Sequence, residues 1–333
     1  MKQVYRLAGA AAIAAAAAIA AGTAAAADMK IGFVTINDSQ HRAAEAFAAA
    51  IDKATGGSIQ ARIFPSAQLG TIPRQVEGVV FGTQEAFISP AGFFIGLNKA
   101  FQAADAPALF ASQDHQAATL NHPSVREKFL NLATDKGVKG VAVWSAGEAA
   151  FATRKEIRTP EDLRGLKIRV LASPMERAMM EAIGVAGTPM DYSETLPSIQ
   201  RRSIDGARSA IVVMGPSKFY TAARHMTLEG GSFIPSAIWV SAKWFEKLSA
   251  DQQQAVLDVG KEITPVAQKA GNEIGALWEK KWAEEGGVVT RFSADDHKKL
   301  MDIYRPLGEK ILGTDPETAE MYGLIKEAAK ATM

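Results

Sequence analysis

Thr159-Pro160-Glu161-Asp162-Leu163-Arg164-Gly165-Leu166-Lys167-Ile168-Arg169-Val170, with Ser173-Pro174-Met175-Glu176 just behind it, carries the sharpest local signals in the chain. Thr159 followed by proline and then two acids is a helix start, and Gly165 ends that helix after barely a turn. From Leu166 to Val170 the alternation predicts a strand. Leu166, Ile168 and Val170 share one face, and Lys167 and Arg169 share the other. Ser173 and Glu176 have the spacing of a capping box, so a helix should run to Ile183 and stop at Gly184.

The same rhythm extends in both directions. Downstream, Pro189 to Tyr192 reads as extended, Ser193 as a cap, Asp205-Gly206 as a turn and Ala207 to Val213 as a strand. Upstream, a strand Lys30 to Ile36 precedes a helix Arg42 to Ala54, whose Ala43, Phe47, Ala48 and Ile51 form one stripe. Ile59, Ala61 and Ile63 alternate with polar residues, a turn follows at Pro65 to Gly70, and a helix around Val76 to Phe81 leads to a strand Glu85 to Ser89. Val138 to Trp144 adds another strand. Strands alternating with helices build a mainly parallel sheet covered on both faces. The last third differs. Ser249 and Gln252 form a capping box, and Ala250 to Glu285 holds no strand signal, so a long helix bent at Pro265 is expected, followed by a strand Val288 to Phe292 and further helix.

The chain has 333 residues, 47% of them hydrophobic and 22% charged, which exceeds the usual size of one core and favours two domains. With 37 basic and 36 acidic residues it has no surplus charge to hold nucleic acid or an anionic membrane. The absence of cysteine excludes disulfides, a thiolate nucleophile and sulfur-ligated zinc. At the N-terminus, Lys2 and Arg6 precede an apolar run from Leu7 to about Ala21, and Ala25-Ala26-Ala27 offers small residues for a signal peptidase. Residues 1–27 therefore read as a secretory signal, with export to the periplasm and no membrane insertion after cleavage.

A search for chemistry is mostly negative. His41, His115, His122, His225 and His297 are scattered without metal-ligand spacing and read as surface or capping residues. No nucleophile elbow, phosphate-binding loop or dinucleotide turn occurs, so no metal, cofactor or catalytic residue is expected and the protein is read as a non-enzyme. Glu161-Asp162 and Asp295-Asp296 sit at helix starts, where acids are favoured anyway. Arg169 stands apart. It lies at the carboxyl end of a strand, where open α/β sheets bind ligands, and its planar fork matches a carboxylate. The bland alternative for it is a solvated strand face.

Four motifs in register, Phe64 to Gly70, Asp162 to Val170, Pro189 to Glu194 and Asp205-Gly206, resemble those of the periplasmic solute-binding subunits of TRAP transporters, the DctP family. The resemblance covers nearly the whole chain after the signal. It implies a two-domain periplasmic-binding-protein fold of α/β type, with mixed sheets and a long helix spanning both domains. The expected division is 28–146 plus about 235–274, and 147–234 plus about 275–333. It also implies closure of two lobes on a small organic acid, which is handed to the small and large membrane subunits of a permease. Crossings near Ser145 to Phe151 and Ser232 to Val240 would act as hinges, with Gly147, Gly230 and Gly231 absorbing backbone change.

By the same resemblance Arg169 matches the carboxylate-binding arginine, and Tyr192 falls where an aromatic packs on the ligand. Ser209 falls where many members carry asparagine. Arg208 precedes it where they often carry glutamate, and reads either as a second anion contact or, slightly preferred, as a surface charge. Near Ala149, Pro90 and Phe93 the chain lacks the polar residues of sugar-acid binders, and Phe94, Trp144 and Phe151 lie nearby. A less polar pocket is expected, suited to a monocarboxylate with an apolar or aromatic body; a C4-dicarboxylate is the alternative. Presentation of the ligand to a membrane sensor, or an exported hydrolase, remain as other classes.

Overall fold

The computed structural model describes residues 27–333. Apart from Ala27, the expected export signal lies outside the described residues. Strand β1 (Ala27–Gly32) opens the fold. It ends four residues earlier than the alternation suggests, because Phe33 to Asp38 leave the sheet and Asp38 caps helix α1 (Ser39–Ala54), its Oδ1 accepting from the His41 amide at 3.0 Å. Ala43, Phe47 and Ile51 of the expected stripe are buried.

Strand β2 (Ile59–Phe64), helix α2 (Ile72–Phe81) and strand β3 (Ala86–Pro90) complete a parallel unit with β1 in the middle. Two 3-10 turns, Ala91–Phe94 and Lys99–Asp105, lead to α3 (Gln113–Leu120) and α4 (Pro123–Leu130). Strand β4 (Val138–Thr153) then runs for sixteen residues, well beyond the apolar stretch that marks its start.

The second half repeats the arrangement. The predicted turn at Pro160–Leu163 forms, closed by a capping box between Thr159 and Asp162. Strand β5 (Lys167–Val170), helix α5 (Pro174–Ala182), strand β6 (Ala186–Pro189), helix α6 (Tyr192–Gln200) and strand β7 (Gly206–Ala210) follow. Asp191, not Ser193, caps α6, its Oδ1 accepting from the Ser193 amide at 2.9 Å. The strand expected to reach Val213 stops at Ala210, where the short helix α7 (Ile211–Met214) begins.

Strand β8 (His225–Ser241) returns antiparallel to β4, and helix α8 (Ala242–Phe245) precedes α9 (Ala250–Glu284), thirty-five residues long. The predicted Ser249–Gln252 capping box is present, and α9 is continuous through Pro265. Strand β9 (Val288–Arg291), α10 (Ala294–Leu312) and α11 (Pro316–Ala331) close the chain. No helix among the described residues is long and apolar enough to cross a membrane.

The strands form one mixed sheet in the order β2-β1-β3-β8-β4-β7-β5-β6, with β9 beside β8. The two long strands make this continuity possible. β8 pairs β3 through Ser236–Val240 and β9 through His225–Leu228, while β4 pairs β7 only through Ala149–Thr153. Between the two stretches the β4–β8 register shifts at Ser145/Glu148, next to Gly147 with φ +130° and Gly230 with φ +88°. Such bulges break the ladder and bend the strands at the crossing. α9 packs on α1 and β4 at one end and on α7 and β9 at the other, and so spans both halves. α11, although distant in sequence, packs against Lys99–Asp105, α3 and α4, which lie in the expected first lobe. His115 is buried at that contact, its Nε2 2.8 Å from the Ala329 carbonyl, which corrects its reading as a surface or capping residue.

Two apolar cores result. One lies between β1, α1 and α9 and contains Phe33, Phe47, Trp144 and Val256. The other runs from an aromatic group of Phe94, Phe101, Phe129 and Trp239 into Phe151, Ile168 and Met226. Each such side chain contributes roughly 1.5–3 kcal/mol by leaving water.

Candidate ligand-binding site

Strand register decides which polar residues meet. β5 and β7 are parallel with Arg169 opposite Ala207, so Arg169, Ala207 and Ser209 project from one face of the sheet. β7 and β4 are antiparallel with Arg208 opposite Phe151, so these two project from the other. The first face borders a narrow cavity between the halves with a volume of about 30 Å³. Arg169, Tyr192, Ser209 and Phe93 line it together, with Pro90, Val213 and Ile234 supplying apolar wall. A wider surface cleft lies beside Lys30, Arg74 and Phe81, but its cations are not enclosed.

Arg169 is 2% exposed. Its Nε donates to the Met190 carbonyl at 3.1 Å, and the guanidinium lies over the Tyr192 ring, 5.7 Å from its centroid. Among the described residues its two terminal nitrogens make no hydrogen bond, and no carboxylate lies within 4.0 Å to form an ion pair. Burial lowers its pKa, an effect opposed by the charges of Glu176, Tyr192 and Asp191, yet a guanidinium stays protonated regardless. Tyr192 is held by its hydroxyl, which donates to the Val213 carbonyl at 3.1 Å, and by stacking on Phe219. Burial pushes its phenol well above the usual value. Beside the cavity, Asp191 Oδ2 accepts from the Ile72 amide at 2.9 Å and so joins the two halves.

Three expected site residues lie elsewhere. Arg208 is neither a surface charge nor a cavity residue: it is 1% exposed, its Nη1 donates to Glu176 at 2.7 Å, and its Nε and Nη2 donate to Glu229 at 3.1 and 2.6 Å. Those carboxylates raise its pKa against the opposing effect of burial. The same ion pair explains why the Ser173–Glu176 capping box does not form. Glu176 is turned inward to Arg208 and to the Leu171 amide, and Ser173 Oγ lies instead 3.4 Å from Asp105. Phe151 shares the Arg208 face and is fully buried in the core. Trp144 packs under α1, where its Nε1 donates to Ser39 Oγ at 3.3 Å. Phe94 is likewise core, against Trp239.

The sequence reading missed part of the cavity wall. Thr35, from the segment between β1 and α1, and Gln40, in the first turn of α1, line it, as do Ile72 and Leu171. Its one available signal was Asp38, a capping residue ahead of the helix start assigned at Arg42. Also missed was Asp105, which abuts Ser173 across the two halves. Part of it remains accessible, but its carboxyl sits among protein atoms, and burial together with the nearby Glu176 charge pushes its pKa up to about 8.

Comparison with known proteins gives this architecture its context. Residues 32–314 match the DctP family, described as bacterial extracellular solute-binding protein, family 7. The chain belongs to that family. It is 29% identical to the 2,3-diketo-L-gulonate-binding periplasmic protein YiaO of Escherichia coli, over 86% of this chain and 81% of that one. It is 25% identical to the C4-dicarboxylate-binding periplasmic protein DctP of Vibrio cholerae, over 85% of each. A TRAP periplasmic solute-binding protein from Xanthobacter autotrophicus, solved with bound β-D-galacturonate, superimposes with a TM-score of 0.83 at 25% identity, covering 90% of this chain and 99% of that one. The chain therefore has the two-domain fold of TRAP solute-binding proteins, and its family is one of binding proteins, not enzymes.

Proposed function

We propose that this DctP protein captures a small organic acid with one carboxylate and a largely apolar body, and presents it to the small and large membrane subunits of a TRAP permease. The carrying observation is Arg169: a buried guanidinium with two unpaired terminal nitrogens in a cavity whose wall is otherwise mainly apolar. A carboxylate meeting that fork in two parallel bonds gains a charge-assisted pair in a place where water competes little. Tyr192 covers the guanidinium, Ser209 adds a hydroxyl, and Phe93 flanks the body of the ligand.

The cavity draws on both halves, so a ligand touching both favours the closed arrangement by its differential affinity for it. We take the lobes as 28–146 with about 235–274 and with α11, which packs on α3 and α4, and 147–234 with about 275–315, hinged at the β4–β8 crossing. The family, the names of its members and the basic, then apolar N-terminus support a periplasmic location after removal of residues 1–27.

The C4-dicarboxylate reading has the Vibrio cholerae relative in its favour. Against it, Arg169 is the single cation on the cavity wall among the described residues. A second buried carboxylate would lack a partner, at a cost of several kcal/mol. A thermal-shift screen of mono- and dicarboxylates separates the two. Ligand at about 100 times its dissociation constant adds about 2.7 kcal/mol of stability. Arg169→Ala is expected to remove the shift while the unliganded protein still melts cooperatively; a shift of undiminished size in that variant rejects the assignment.

A further inference from the structure

One carboxylate caps two helices from opposite halves of the molecule. Asp191 precedes α6, where its Oδ1 accepts from the Ser193 amide at 2.9 Å and from the Ser193 hydroxyl at 2.7 Å. Its Oδ2 reaches across to α2 and accepts from the Ile72 amide at 2.9 Å, 119 positions away. That amide is the first of α2, and Thr71, at the capping position, makes no side-chain bond to the helix. The first amides of a helix have no partner within it, and the helix dipole favours a carboxylate at that end. Asp191 meets both needs of α2, and does so only while the two halves stay together.

Both ends of this bond are held in place. Gln75 Nε2 donates to the Gly70 carbonyl at 2.8 Å, and Gln84 Nε2 donates to Gln75 Oε1 at 3.1 Å, which fixes the turn entering α2. On the other side the Thr195 hydroxyl donates to the Asp191 carbonyl at 3.0 Å. The residues flanking Asp191 belong to the guanidinium: the Met190 carbonyl accepts from Arg169 Nε, and the Tyr192 ring lies against it. The segment that seats Arg169 is therefore the one that ties the halves together.

We propose that Asp191 is a positioning residue for capture: standing beside the cavity, it latches α2 to the start of α6 and so slows the release of an acid held at Arg169. This rests on the reading that Arg169 holds the carboxylate, and it adds what keeps the cavity shut over it. The sign of the effect separates a latch from plain electrostatics. The Asp191 charge acts on Arg169, so neutralising it would by that route alone strengthen the binding of an anion. Loss of a latch weakens it.

Asp191→Asn is the informative variant. Asparagine caps α6 as well as aspartate does, but its second terminal atom is an amide nitrogen, which cannot accept from Ile72. Stopped-flow binding of butanoate, hexanoate, benzoate and phenylacetate to the mature protein reads association and dissociation separately. For the acids that bind, dissociation from Asp191→Asn is expected to be about tenfold faster, the fold-change of one hydrogen bond, with association within about twofold. Ile72→Pro removes the amide from the other side. Thr71 is extended, with ψ 165°, and proline is favoured at the first helical position, so the helix start accepts it. Ile72→Ala is its control, losing the isoleucine from the cavity wall but keeping the amide. Adding Asp191→Asn is expected to change dissociation by about twofold or less in Ile72→Pro and by the full tenfold in Ile72→Ala. The latch is overturned if Asp191→Asn leaves dissociation unchanged or slows it, or if its effect is equal in the two Ile72 backgrounds, the mark of a merely local cap. If none of the acids binds, or if binding survives Arg169→Ala, the Arg169 reading fails and takes this one with it. Binding that depends on Arg169 but ignores Asp191 overturns only the latch.

Discussion

Arg169 and Arg208 sit on adjacent strands, both almost fully buried, and differ in one respect: Arg208 is gripped by two carboxylates, whereas Arg169 has none within ion-pair distance among the described residues. A buried charge is expensive unless it is paired. Around Arg208 the protein supplies the counter-charges itself, from α5 and β8, and the result ties a helix to the sheet. Around Arg169 it supplies one backbone carbonyl, an aromatic face and a cavity. The difference separates a guanidinium that holds the fold together from one that is free to hold an anion.

The largest expected effect breaks the first of these. Arg208→Met leaves Glu176 and Glu229 buried without their cation, which is expected to cost about 3–5 kcal/mol in urea denaturation at neutral pH. The paired Arg169→Met variant removes a charge that has no counter-ion among the described residues. Its unliganded stability is expected to stay within about 1 kcal/mol of the wild type or to rise. Equal losses in the two variants would erase the distinction.

A smaller effect concerns Asp105, whose carboxyl shares the neighbourhood of Glu176 and Arg208 without joining their ion pair. Its pKa is raised to about 8 in the folded protein, against about 4 in an unfolded chain. The folded state therefore keeps a proton that the unfolded state releases, and stability declines as pH rises from about 4 to 8. Asp105→Asn cannot lose that proton. Its stability relative to the wild type is expected to grow over this range, to about 1–3 kcal/mol at pH 8, and to vanish toward pH 4. Denaturation curves at four or five pH values measure this, and a difference independent of pH would show that Asp105 ionises freely.

The smallest effect sharpens the Arg169 side. Ser209→Ala removes a cavity hydroxyl that makes no hydrogen bond within the described protein, so stability is expected to change by less than about 0.5 kcal/mol. Affinity for the acid is expected to fall about fivefold, near 1 kcal/mol. Titration of the variant with the best acid from the screen reads this directly.

Much of the fold was legible because its signals are local. The Thr159–Asp162 and Ser249–Gln252 caps, the stripe of α1 and the alternation of β2 and β5 each depend on residues within one turn or one pleat. Where a local signal competed with a distant partner, the partner prevailed. Glu176 has the spacing of a cap but is drawn into the pair with Arg208, thirty-two positions away. β4 runs far past its apolar start because β8 offers backbone partners along most of its length.

The candidate site divides along the same line. Arg169 could be singled out because a strand, a loop and a helix follow one another around it within a few residues. Tyr192, Ser209 and Phe93 also reach the cavity. Phe151 and Trp144 were misplaced because side-chain direction follows from strand register and bulges, which no short segment encodes. Thr35 lies in an irregular stretch and Gln40 in the first turn of α1, ahead of the stripe that marks the helix, so only the tertiary structure brings them to the cavity.

What the amino-acid order determined alone is the alternation of strands and helices, the helix boundaries marked by caps and glycines, and the presence of a cation where a strand gives way to a loop. These follow from backbone sterics and from hydrogen bonds between near neighbours. Which of two arginines faces a carboxylate and which faces a cavity was decided only in three dimensions. The pleat sends residues one apart to opposite faces, and just the pairing of β7 with β4 and β5 says which face the rest of the molecule covers.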